Sequence, residues 1–209
     1  MGAYLEVIIL YIILFFWRSA VPGAPQDPSF SIISEITKIL IFLIPSIILI
    51  WYFKHKHWNI KKWIRKPDKN DLFSGLIAYP CLLITGISMG IIAAITGNTQ
   101  VPLQTPDSLQ GWLILSLFCL FSAWFEEGFF RFYILSKKEE LNLNNPAVLL
   151  LSTALFSFCH LYNYPFGFIN AVISGFVLGI LFLRFKTIYG ITIAHGLYNL
   201  TAYILIALN

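Results

Sequence analysis

Apolar residues run along this chain in long unbroken blocks, without the period-two alternation or one-sided stripes of water-soluble elements. A helix needs about 20 apolar residues to cross the hydrocarbon layer, and blocks approaching that length recur from end to end. They lie near 4–17, 32–53, 72–95, 111–135, 147–164, 168–185 and 188–208. The first is short, so it either extends into its flanks or lies partly at the interface. Between the first two, residues 18–30 gather Pro22, Gly23, Pro25 and Pro28, a cluster that breaks helices. The pattern predicts an all-α fold: a polytopic transmembrane helical bundle of about seven spans. No polar block is large enough to build a separate core, so 1–209 is expected to be a single membrane domain.

Composition strengthens this reading. Hydrophobic residues make up 58% of the 209 positions and charged ones only 11%, where a soluble domain carries about 25%. Cys81, Cys119 and Cys159 all fall in apolar blocks, where a thiol behaves as a small hydrophobe. The first block lacks a basic leader and a small-residue cleavage site, so it is expected to be retained. Glu6 stands where a myristoylation signal has Ser or Thr.

Basic residues set the expected orientation, because loops rich in Lys and Arg stay cytoplasmic. The 54–71 loop holds Lys54, Lys56, Lys61, Lys62, Arg65, Lys66 and Lys69. Seven spans put Lys137, Lys138, Arg184 and Lys186 on the same side, and leave Arg18 in the opposite loops. The N-terminus is therefore expected in the cytoplasm and the C-terminus outside. The basic loop serves as a topology determinant and a contact for anionic lipid, and no nucleic-acid partner is expected. Gly86 with Gly90 and Gly175 with Gly179 have the spacing that lets membrane helices approach closely. Packing within the monomer is the expected use, a dimer interface the alternative.

Ionisable side chains inside spans are costly and call for a partner, a water cavity or a function. The fourth span embeds Glu126, Glu127 and Arg131 among aromatic residues. Glu127 and Arg131 are four apart, so they share a helical face and can pair. Glu126 points about 100° away from Glu127 and has no local counter-charge. Burial disfavours its ionised form, the condition that makes a carboxylate a useful general base. Snorkelling of the whole cluster to the membrane boundary is the bland alternative. In the fifth span His160 follows Phe156 by one turn, and in the seventh His195 and Asn199 share a face and can aim two donors at one point. Each alone suits a hydrogen bond between packed helices. Together, a desolvated carboxylate, a histidine and a donor pair are what water activation and oxyanion stabilisation need.

At these residues the chain resembles the CAAX protease and bacteriocin-processing (CPBP, or Abi) family, which includes the type II prenyl-protein endopeptidase. The family's motifs, Glu-Glu-x-x-x-Arg, Phe-x-x-x-His and His-x-x-x-Asn or Asp, read here Glu126-Glu127-Gly128-Phe129-Phe130-Arg131, Phe156-Ser157-Phe158-Cys159-His160 and His195-Gly196-Leu197-Tyr198-Asn199. The resemblance covers about 111–200, the expected peptidase core. It implies an intramembrane endopeptidase acting on a membrane-associated protein or peptide. In that reading Glu126 and His160 activate the attacking water, His195 and Asn199 stabilise the oxyanion, and Glu127, Arg131 and Phe156 support them. No cofactor is expected, though Glu126, His160 and His195 also form an accepted catalytic zinc set. A transporter, or a peptidase-like scaffold that binds without cleaving, are the other classes these buried polar residues allow. One point strains the picture: counted along its helix from Pro146, His160 lies deeper than Glu126 and His195, so the fifth helix is expected to tilt or to begin in the cytosol.

Overall fold

The computed structural model describes residues 2–16, 30–56, 58, 65–97, 104–161 and 165–208, and all their regular structure is helical. Helix α1 (Ala3–Tyr11) runs into a wider π-helical turn, Ile12–Phe16. It is followed by α2 (Ile32–His55), α3 (Lys69–Ile95) and α4 (Leu109–Glu127), which continues as a π-helical segment, Gly128–Ile134. The remaining helices are α5 (Asn145–Phe158), α6 (Phe166–Phe185) and α7 (Tyr189–Ala207). Side-chain caps set the starts of α2, α3, α4 and α5. Ser31, Ser108 and Asn144 accept backbone N–H groups of α2, α4 and α5, and Asp68 forms a reciprocal capping box with Asp71 on α3.

Among the described residues five helices are long and apolar enough to cross a membrane: α2, α3, α4 with its π segment, α6 and α7. The protein is an integral membrane protein. Helices α1 and α5 are shorter, so of the about seven expected spans five are long helices and two are short ones. The fifth block, 147–164, illustrates the reason. Its helix stops at Phe158, and Pro165 already caps α6, so the apolar character of 159–161 belongs to a turn. Residues 162–164, most of the 18–30 breaker, 59–64 of the basic loop and 100–103 lie outside the described residues. The outward faces of α2 and α3 expose Ile33, Leu40, Ile44, Leu72, Leu76 and Ile84, which suits lipid.

The two ends of the bundle differ. At one end the side chain of Glu6 pairs with Lys137 and Lys56 and accepts the Tyr133 hydroxyl at 2.8 Å, fastening α1 to the ends of α2 and α4. Lys138, Arg184 and Lys186 belong to this end as well, since a Cβ on Gly179 would lie 3.8 Å from Leu135. Desolvation by burial, with Lys138 nearby, lowers the Lys186 pKa from its ordinary value. At the other end Phe30 approaches Gly111 at the start of α4, and Phe158 meets Phe168 at 6.5 Å between ring centroids. Helix α5 therefore returns the chain from the basic end to the opposite one, whatever its length.

Close helix approaches follow the glycines only in part. Gly175 and Gly179 lie on Thr153 and Leu149 of α5, as expected for packing within the monomer. Gly86 admits the Tyr198 ring, whereas Gly90 faces open space. The tightest crossing is elsewhere: Gly75 of α3 meets the backbone of Gly190 on α7, where any Cβ would strike the Asp71 carbonyl and the Ser74 hydroxyl.

Candidate active site

Glu126 and Glu127 close the α-helical part of α4, and the π segment behind them widens the turn that carries Arg131. The expected pair is present: Arg131 Nε lies 3.1 Å from Glu127 Oε2, with both side chains buried. It is an ion pair without hydrogen-bond alignment, and the terminal guanidinium nitrogens have no acceptor among the described residues. The plane instead rests on aromatic faces, Phe156 at 4.3 Å and Phe130 at 5.9 Å, where a desolvated cation gains about 2 kcal/mol. Ser152 of α5 donates to the Phe130 carbonyl at 2.7 Å and ties the π segment to α5. Behind it Phe15, in the π turn after α1, packs on Phe125, Phe129 and Phe130 at 4.7 to 4.9 Å.

His195 reaches this helix because Gly196 lets α7 lie on α4. A Cβ there would come within 2.7 Å of the Leu120 side chain and 3.0 Å of its Cα. His195 Nδ1 stands 2.9 Å from Glu127 Oε1, and its Nε2 stands 3.8 Å from Glu126 Oε2. An ionised carboxylate only accepts, so Nδ1 carries a proton when that bond forms. Helix α7 thus brings an imidazole to Glu126, which the sequence leaves without a nearby counter-charge. Ser122 also donates to Glu126 Oε1 at 3.3 Å.

His160 lies just past the end of α5, and its ring folds back. Nδ1 is 2.9 Å from the Phe156 carbonyl, and the ring leans on Phe156 with centroids 4.7 Å apart. A carbonyl only accepts, so Nδ1 is the donor and Nε2 is the basic nitrogen of the neutral ring. Phe156 thus touches His160, the guanidinium of Arg131 and, at 6.1 Å, the ring of His195.

Glu126, His160, His195 and Asn199 line one cavity of about 530 Å³, with Phe156 in its wall. Glu127 and Arg131 lie behind that wall, fully buried. The cavity occupies the half of the bundle away from the basic end: it takes the first turns of α2 and α6, the later turns of α3 and α7, and the end of α5. Further polar cavity residues, Lys38, Asn170, Ser174 and Tyr198 among them, are not singled out by the sequence pattern. Lys38 on α2, paired with the buried Glu35, carries a signal visible in sequence, charges three apart within an apolar span. Asn170, Ser174 and Tyr198 are uncharged and carry no such signal. Among the described residues no three His, Cys, Asp or Glu side chains are placed together to hold a metal ion.

Residues 108–201 match the family described as Type II CAAX prenyl endopeptidase Rce1-like. This stretch belongs to the CAAX protease family. The match begins at the Ser108 cap of α4 and ends within α7, so it takes in all three motifs. A CAAX-protease core is that of a hydrolase working in lipid on a membrane-associated peptide. No curated protein and no solved structure matches the chain. Helices α1 to α3 lie outside the matched stretch, yet α2 and α3 give Lys38, Leu82, Gly86 and Met89 to the cavity wall.

Proposed function

We propose that the protein is an intramembrane endopeptidase that hydrolyses a peptide bond of a membrane-associated protein or peptide, with Glu126, His160, His195 and Asn199 at the reacting bond. The observation that carries this reading is the convergence of a carboxylate, two imidazoles and a carboxamide on one cavity. Glu126 with the Nε2 of His160 takes the proton of the attacking water as the water oxygen bonds to the carbonyl carbon. The developing oxyanion accepts from Asn199 Nδ2 and His195 Nε2, and the proton then passes to the leaving amine as the C–N bond breaks. Since Glu127 holds Nδ1 as a donor, Nε2 donates to the oxyanion only when it too carries a proton. Glu127 and Arg131 position α4 and His195 from behind.

The reading keeps α1 and α5 as short crossings beside the five long helices, the N-terminus in the cytoplasm and the C-terminus outside. The gathering of basic residues at one end supports it. The test is purified protein in lipid with an internally quenched peptide, in prenylated and unprenylated forms, beside its Glu126→Gln variant. Release of fluorescence by the unmodified protein alone is expected. Uptake or binding of the peptide without cleavage would replace this reading with a transporter or a scaffold.

A further inference from the structure

Helix α6 carries none of the three motifs, yet Phe166, Gly167, Asn170, Ala171 and Ser174 give the cavity one face of it over two turns. Two polar groups on that face are unused. Ser46, Ser116 and Ser157 turn their hydroxyls onto the carbonyl four residues back, at 2.7 to 2.8 Å. Ser174 does not: it is 5% exposed, and its Oγ has no hydrogen-bond partner among the described residues. Asn170 gives one end of its carboxamide to the Tyr198 hydroxyl at 2.9 Å, and the other end is buried without a partner among the same residues. Unpaired polar atoms in a buried wall are unfavourable unless a ligand completes them.

Their place in the cavity says which ligand. Gly175, next to Ser174, lies against Phe156, a Cβ there standing 3.3 Å from Cδ1, and Phe156 touches both histidines. Ser174 is therefore close to the reacting groups, and Asn170 is one turn further toward the cavity end, braced by the neighbour of Asn199. A peptide entering a cavity among membrane helices brings main-chain N–H and C=O groups that all need partners. Along an extended chain, groups on one side repeat about every 6.6 Å. Four residues of helix rise about 6 Å, so Asn170 and Ser174 match that repeat.

We propose that Asn170 and Ser174 form a main-chain binding subsite, which holds an extended substrate segment along α6 beside the bond to be cut. This deepens the peptidase reading and rests on it. The subsite recognises backbone, so it selects unwound segments over helical ones and tolerates varied side chains.

The test uses the full chain in lipid nanodiscs, with Glu126→Gln to keep the probe whole. The probe is a fluorescent prenylated peptide ending Cys-aliphatic-aliphatic-X, with twins in which one main-chain amide at a time is an ester. Two twins, with esters two residues apart, are expected to bind about tenfold more weakly than the parent peptide. Adding Ser174→Ala should weaken the parent peptide by a similar factor and erase the penalty of one twin; Asn170→Ala should erase the other. Twins that bind like the parent, penalties that persist in both variants, or a parent that does not bind would each overturn the subsite. Should Asn170→Ala unfold with its Tyr198 bond lost, Ser174→Ala decides alone, since it removes only an unpartnered oxygen. Cleavage of the parent peptide by the unmodified protein is scored separately. Cleavage without coupling rejects the subsite only, and coupling without cleavage rejects the peptidase reading only.

Discussion

Glu127 Oε1 holds His195 Nδ1 at 2.9 Å and so joins the first motif to the last. The same carboxylate faces Arg131 with its other oxygen. One side chain thus balances a buried guanidinium and orients an imidazole, while its neighbour Glu126 faces the cavity.

The two glutamates should therefore fail differently. Glu127→Gln leaves Arg131 buried without its counter-charge, at a cost of about 3–5 kcal/mol, and gives His195 a neutral amide acceptor in place of a carboxylate, a weaker orienting bond that should also lower the rate. Glu126→Gln should keep near-normal abundance and lose cleavage. Melting temperature and peptide cleavage measured on both proteins check this; equal abundance losses would contradict it.

Gly196 sets how closely His195 approaches α4. Gly196→Ala forces the backbone of α7 away from Leu120, and a misplacement of even a fraction of an ångström should slow cleavage about tenfold or more. Gly90→Ala is the control: a Cβ there meets nothing within 4 Å, and removing a helical glycine should add about 0.5–1 kcal/mol. Loss of activity in Gly90→Ala comparable to that in Gly196→Ala would argue against the close approach.

Topology is open to direct mapping. Reporter fusions at 60–66 and 138–144 should score cytoplasmic, and fusions at 100–106 outside, following the basic residues. A cytoplasmic score at 100–106 would remove the proposed orientation.

Metal dependence separates the two routes to an activated water. The glutamate route predicts that chelator-washed protein keeps its activity. Zinc would require Glu126, His160 and His195 to converge at about 2 Å from one point. Stoichiometric zinc in active protein, with activity lost on its removal and restored on its return, would reassign both histidines as ligands and leave the peptidase reading in place.

Much of the architecture is legible in the sequence because lipid enforces a crude code. Long apolar blocks become helices, and α2, α3, α4, α6 and α7 begin and end within a few residues of their blocks. Charges stand out against such blocks, which is why Glu126, His160 and His195 are conspicuous in the sequence alone. What the code does not carry is the relation between distant residues. The Glu127–His195 bond joins positions 68 apart, and nothing local to either announces it. The fifth block overstates the length of α5 because an apolar turn and an apolar helix look alike in hydropathy. Asn170 and Ser174 are uncharged, so their significance appears only when the cavity shows which of their atoms lack partners.

The cavity's position in the half of the bundle opposite the basic end has a further consequence. On the proposed orientation this is the outer half, so the water consumed in the proposed reaction would be drawn from the exterior side of the membrane.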